Sequence, residues 1–170
     1  LMSYLNKFEI ETSYGIKAWK RWGNTAEQII KSNPYVLCIQ GVDLSFSRAD
    51  AVAAKSDIPA DSECRIKAGI TYILRQNADQ GHTCLPLDSL VKTAVSYLDV
   101  DEKLIKKVIE DETEEENLYY YDKHGRRFVM LADFYKAEDY IASRLAIMRQ
   151  ISYDNKIDFS EVIDLEEENN

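Results

Sequence analysis

A chain of 170 residues that is 45% hydrophobic and 30% charged has material for one large domain or two small helical ones, and 3 prolines and 6 glycines exclude collagen-like or low-complexity character. No apolar run nears the roughly 20 residues needed to span a bilayer, and no charged-then-apolar leader opens the chain, so a cytoplasmic protein is expected rather than a membrane or secreted one. The net charge of −9 is uneven, ten basic and eight acidic side chains in residues 1–78 against eleven and twenty-two in residues 79–170, which excludes wrapping of long duplex DNA by charge alone.

The first half reads as short helices with turn punctuation. Thr25 to Lys31 sets Ala26, Ile29 and Ile30 on one face. Asn33-Pro34 follows as an N-cap with proline at the first helical position, where its missing N–H costs nothing. A brief helix through Tyr35 and Leu37 is then expected. After the turn-like stretch Gly41 to Phe46, Ser47-x-x-Asp50 has the form of a capping box, opening a helix with Ala49, Val52 and Ala53 inward. Beyond Pro59, Asp61 or Ser62 can cap a longer helix whose Ile66, Ile70, Ile73 and Leu74 fall at helical spacing.

In the second half, Leu87, Leu90, Val91, Ala94, Val95 and Leu98 make one apolar stripe, and Leu104, Ile105, Val108 and Ile109 make another. Leu118-Tyr119-Tyr120-Tyr121 and Arg127-Phe128-Val129-Met130-Leu131 flank a glycine-containing turn, which predicts a β-hairpin near residues 118–131. Phe134 to Arg149 resumes helix, with Ala137, Ile141, Leu145 and Met148 expected to face inward. The order helix, helix, hairpin is that of a winged-helix-like module. Residues 151–170, acidic and weakly periodic, read as a linker.

Chemistry-bearing patterns are sparse. There is no Gly-x-x-x-x-Gly-Lys-Ser/Thr loop, no G-x-S-x-G elbow and no H-E-x-x-H pair, so no catalytic residues are expected in this chain. Cys38, Cys64 and Cys84 form no C-x-x-C pair, and His82 and His124 add too few ligands for zinc; free thiols and no metal are expected.

The sharpest local signal is Asn33 to Ala53, a helix-hairpin-helix pattern. Such a bend holds a nucleic-acid backbone through main-chain N–H groups and the following helix N-terminus, without reading sequence and with little net positive charge. The donors expected here are the backbone and side chains of Gly41, Val42, Leu44, Ser45, Ser47 and Arg48. A second candidate surface is the hairpin tip, with Lys123, His124, Arg126 and Arg127; its other reading is an ordinary soluble turn. A third is Lys17, Lys20 and Arg21 interleaved with Trp19 and Trp22, a composition that suits single-strand stacking but also suits fastening a helix to a core.

Taken together, these segments resemble a known family. Asn33-Pro34-Tyr35-x-Leu37-Cys38, Asp43-Leu44-Ser45-Phe46-x-x-Ala49-Asp50-x-Val52-Ala53, Ile58-Pro59-x-Asp61-Ser62-x-x-Arg65-Ile66-x-Ala68-Gly69, Gly81-His82-x-x-Leu85-Pro86 and Val100-Asp101-Glu102-x-Leu104-Ile105 are similar to the N-terminal region of RecD/TraA-type DNA helicases (exodeoxyribonuclease V alpha-subunit-like), as are Tyr14-Gly15-Ile16 and Trp22-Gly23-Asn24-x-Ala26. The similarity runs from Ser13 to Arg149. It implies an accessory region of an ATP-driven helicase that unwinds DNA with 5′-to-3′ polarity in repair and recombination. The motor would lie C-terminal to this chain and use ATP and Mg. One departure bears on the site: where the family has Gly-Ile-Gly-Phe, this chain has Asp43-Leu44-Ser45-Phe46. Both glycines are absent, and a carboxylate stands where a phosphate would approach.

The expectation is therefore a mainly α fold with a small β-hairpin: a helix-hairpin-helix-like unit at 1–78, a winged-helix-like unit at 79–150 and a linker at 151–170. The expected function is non-catalytic engagement of single-stranded or forked DNA for the motor. The alternative is a protein-docking scaffold for the motor or a partner subunit, with little DNA contact.

Overall fold

The computed structural model describes residues 1–150; the linker expected at 151–170 lies outside the described residues. Short helices α1 (Met2–Asn6), α2 (Thr12–Trp22) and α3 (Ala26–Ser32) open the chain, α2 and α3 being joined by a 3-10 turn at Gly23–Thr25. A second 3-10 turn, Pro34–Cys38, leads through the bend at residues 39–45 into α4 (Phe46–Ala54). Asn33 caps the 3-10 turn, its Oδ1 accepting the Tyr35 N–H at 3.0 Å. The capping box expected at Ser47-x-x-Asp50 does not form. Ser45 is the N-cap of α4, without a side-chain cap bond, and the Asp50 carboxylate instead receives Arg65 and Tyr35.

The long α5 (Glu63–Asp79) buries Ile66, Ile70, Ile73 and Leu74, the predicted stripe. A three-residue strand β1 (Cys84–Pro86) precedes α6 (Leu87–Leu98) and α7 (Glu102–Glu114). The predicted hairpin is β2 (Leu118–Lys123) and β3 (Arg126–Leu131), turning at His124-Gly125, both with positive φ as a two-residue primed turn requires. β1 pairs antiparallel with the far edge of β3, Leu85 opposite Val129, so the sheet has three strands in the order β1-β3-β2 where sequence suggested two. Buried Leu118, Val129 and Leu131 turn one face of the sheet to the core, and α5, α6 and α7 pack against it.

One apolar core runs from Leu5 to Leu131, including Ile30, Leu37, Phe46, Ile66, Leu90 and Ile105. Position 78, where a unit boundary was expected, is next to the end of α5, and residues of α5 and α6 share that core. α5 and α6 approach closely at Gly69: a Cβ placed there would lie 2.6 Å from Leu98 Cδ2, and Leu98 is itself buried. Gly69→Ala is therefore expected to destabilise by about 1–2 kcal/mol despite its better helix propensity. Urea titration of Gly69→Ala in a Leu98→Ala background should show that added loss vanish, since the clashing methyls are gone.

The last helix, α8 (Ala132–Gln150), begins in the compact unit of residues 1–135 and continues into a second unit from residue 136. Taken by itself, that continuation exposes Ile141, Leu145 and Met148, the residues expected to face inward. Their helical spacing identifies an apolar face; it does not supply something to bury it. No helix among the described residues is long and apolar enough to cross a membrane.

Candidate nucleic-acid interface

The bend between the 3-10 turn and α4 has an alternating character set by its sequence. Val42 and Leu44 are buried and pin the loop to the core, while Gly41, Asp43 and Ser45 between them are exposed. Gly41 and Asp43 both take positive φ, which glycine adopts freely and aspartate tolerates. Asp43 thus preserves a turn conformation that glycine adopts more freely.

The same aspartate changes what the bend offers. Its Oδ1 accepts the Gly41 N–H at 3.0 Å, and its Oδ2 lies 3.6 Å from Lys17 Nζ. The Val42 and Asp43 amides donate to Ile39 O, and the Leu44 amide donates to Leu37 O at 2.9 Å. The amides of Gly41, Val42 and Leu44, expected to meet a phosphate, therefore all have internal acceptors. Donors without an acceptor begin one residue later. Among the described residues the amides of Ser45, Phe46 and Ser47 have none, and the hydroxyls of Ser45 and Ser47 stand 3.4 Å apart over the start of α4. Arg48 borders this group, its guanidinium donating to Glu9 O at 2.7 Å, lying 3.6 Å from Glu11 and sitting over the Tyr14 ring.

Two recesses flank the bend. On one side Lys17, Lys20 and Arg21 of α2 line a shallow cleft with Gly41 and Val42, and Lys17 Nζ donates to Val42 O at 3.1 Å, tying helix to bend. On the other side a cavity of about 220 Å³ is lined by Leu44, Ser45, Phe46, Tyr72 and Arg75 among others. Phe46 there belongs to a ladder of rings, at 5.6 Å from Tyr35 and 5.7 Å from both Tyr72 and Tyr97. Cys38, also on this cavity, has its thiol pushed up to about 12 by burial and by the Asp50 charge, so it stays protonated at neutral pH.

The hairpin tip is built differently. Lys123 pairs in register with Arg126 across the turn, and His124 sits at its first position with φ 50°. Arg127 is committed elsewhere, its Nε donating to Asp122 Oδ1 at 3.1 Å and its guanidinium 4.8 Å over the Tyr120 ring. Lys123 and Arg126 have no carboxylate partner among the described residues; Arg126 shares a cleft with Asp88 and Ser89 at the start of α6. No hydrogen bond, ion pair or shared cleft among the described residues joins this tip to the bend.

The two tryptophans of α2 divide. Trp22 is half-buried against the core, whereas Trp19 is 54% exposed, so only one of them fastens the helix. Of the tyrosine run, Tyr119 and Tyr120 are partly buried and Tyr121 is exposed. Among the described residues no three His, Cys, Asp or Glu side chains stand together as a metal ion would need.

Against known protein families, residues 1–84 match the model described as the ATP-dependent RecD2 DNA helicase HHH domain. The matched span contains the bend, α4, both flanking recesses and the whole of α5.

Proposed function

Because residues 1–84 match the helix-hairpin-helix domain model of ATP-dependent RecD2 DNA helicases, we propose that this chain is a non-catalytic accessory region that holds DNA backbone for a helicase motor. The observation that carries the reading is the exposed start of α4. Three main-chain N–H groups without acceptors lie there, with the mutually hydrogen-bonded hydroxyls of Ser45 and Ser47 and with Arg48 at their border. That arrangement takes one phosphate through hydrogen bonds and the helix dipole, and it reads no base. The acidic whole is then no obstacle, because the attraction is local. In this reading contact shifts from Gly41, Val42 and Leu44 toward Ser45, Phe46, Ser47 and Arg48. Lys123, His124 and Arg126 of the tip would supply a separate contact, with Arg127 holding the strand edge. ATP and Mg belong in this reading to the motor, since the chain has no phosphate loop on which to seat them.

Ser45→Asp tests the site without endangering the fold. Aspartate is at least as good an N-cap as serine and favours the positive helix end, so stability is expected to hold or rise. A fixed carboxylate there repels a phosphate, and affinity for a forked oligonucleotide at low salt is expected to fall about tenfold, the size of one charge-assisted hydrogen bond. Unchanged affinity, measured by fluorescence anisotropy, would remove α4 from the interface.

One observation favours the docking reading for a different part of the chain. The exposed Ile141, Leu145 and Met148 of α8 are the kind of helix face that a partner protein covers. Saturable association with a separately produced motor that is unaffected by Arg126→Glu with Arg127→Glu but lost in Ile141→Ser with Leu145→Ser would assign docking to that helix.

A further inference from the structure

We infer that the outer face of α2 is a stacking site for single-stranded DNA, with Trp19 as the platform at one edge and Lys20 and Arg21 as the phosphate contacts further round the helix. The inference deepens the DNA-holding reading and rests on it. At 100° per residue, Ala18 and Gly15 fall on the buried side of α2, with Trp22 beside them. The exposed arc then runs in the order Trp19, Ile16, Lys20, Lys17, Arg21. Its one edge is apolar, Trp19 and Ile16 being 54% and 45% exposed, and its other edge is cationic.

Exposure of Trp19 is not explained by anchoring, because Trp22 and Ala18 already hold the helix to the core. An exposed indole offers a flat apolar face that gains free energy when another ring stacks on it. The neighbouring charges decide what that is. Lys20 and Arg21 have no carboxylate partner among the described residues, and Arg21 lies over the Trp22 ring at 5.9 Å. Lys17 is the only one of the three cations paired, with Asp43 at 3.6 Å, and it ties the arc to the bend. A ligand covering the arc must present a π face and closely spaced negative charge together. A single strand of DNA does, and its bases are free to splay; a duplex hides its π faces in the stack. The cleft between the cations and Gly41 gives the strand backbone a course from this arc toward the bend.

The chain has two tryptophans, so Trp22→Phe leaves Trp19 as the sole indole reporter. Titrating the 170-residue Trp22→Phe protein with an oligothymidylate is expected to quench its emission in a saturable way. Trp19→Ala is expected to weaken oligothymidylate binding about five- to tenfold while leaving binding to a blunt duplex unchanged. Lys20→Gln with Arg21→Gln should lower the log–log salt slope for the single strand by about 1.4, two contacts at 0.7 each. Full single-strand affinity in Trp19→Ala, when Ser45→Asp has lost affinity, overturns the stacking site and leaves the bend as the interface. Loss of self-association on Trp19→Ala, with no change in DNA binding, overturns it in favour of a protein contact. No binding of any DNA at low salt by the folded protein overturns both readings at once.

Discussion

Replacing Arg65 by methionine is expected to lower the unfolding free energy by about 3 kcal/mol at pH 7, because one guanidinium holds four segments together. Its Nε and one terminal nitrogen grip the Asp50 carboxylate at 2.7 and 3.1 Å, and the other terminal nitrogen donates to Ala60 O and Leu98 O, each at 2.8 Å. The Tyr35 hydroxyl donates to the same carboxylate at 2.5 Å. Arg65 of α5 thereby ties α4, the 3-10 turn before the bend and the C-terminal carbonyl of α6, one of the four orphan acceptors that any helix end carries. Breaking a fully buried pair costs about 3–5 kcal/mol; water still reaches part of Asp50, which places the expected loss at the lower end.

The pH dependence identifies the carboxylate as the cause. Burial alone would raise the Asp50 pKa, but the Arg65 and Tyr35 hydrogen bonds outweigh it and hold the group below the ordinary value of 3.8. A depressed carboxylate stabilises the fold above its unfolded pKa, and that contribution disappears as pH falls through the folded value. In Arg65→Met burial is opposed by Tyr35 alone, so the sign of the Asp50 contribution is expected to reverse. The urea midpoints of the two proteins should therefore differ fully near neutral pH and draw together as pH falls through the folded Asp50 value, below 3.8, leaving the gap due to the Ala60 and Leu98 carbonyl bonds. A constant gap down to pH 3 would show that lost packing, not the ion pair, was responsible.

Lys67→Met is expected to cost about 2 kcal/mol, and for a separable reason. Lys67 Nζ lies 2.8 Å from Glu112, 2.9 Å from Glu63 and 3.4 Å from Glu115, joining α5 to α7. The carboxylates of Glu112, then Glu63, outweigh burial and lift the lysine well above its ordinary range, so the ion pairs are intact throughout neutral pH and are lost only in strong alkali. Glu112 is the sole charged residue among the described residues that is buried, at 9% exposure, and losing Lys67 leaves its charge without a partner in a poorly solvated position. The double variant Lys67→Met with Glu112→Leu should recover most of the loss, because a well-packed apolar pair does not need the ions. Thermal unfolding of the single and double variants checks this; a double variant no more stable than Lys67→Met would place the cost in the exposed Glu63 and Glu115 pairs instead.

What the residue pattern made legible follows from how locally each feature is determined. Ile66, Ile70, Ile73 and Leu74 declare α5 because their spacing is a property of one helix, and His124-Gly125 declares its turn because few residues adopt positive φ. β1 was missed for the opposite reason: Cys84-Leu85-Pro86 shows no alternation worth reading, and only pairing with a strand more than forty residues away makes it one. Asp50 invited a local cap because Ser47 precedes it by three, yet Arg65 outcompetes a backbone amide by offering a charged, two-pronged donor. Glu112 was hidden inside an acidic run that otherwise faces water. Trp19 and Trp22 could not be ranked from spacing, since residues three apart on a helix differ by only about 60° in direction. At the bend the pattern located the loop and its missing glycines. That Asp43 would fold back onto the Gly41 amide, moving the open donors to Ser45 and Ser47, needed coordinates.

The pairing of β1 with β3 also governs how the protein can be cut. The family match ends at Cys84, the first residue of a strand whose partners are Met130, Val129 and Phe128. A truncation after residue 84 would sever that strand and withdraw α6, whose Leu98 fills the notch at Gly69 and whose last carbonyl caps Arg65. The remnant would expose the apolar flank of α5 to solvent and invite clumping. Excision for crystallisation or tagging is better placed beyond β3, where all three strands of the sheet are kept.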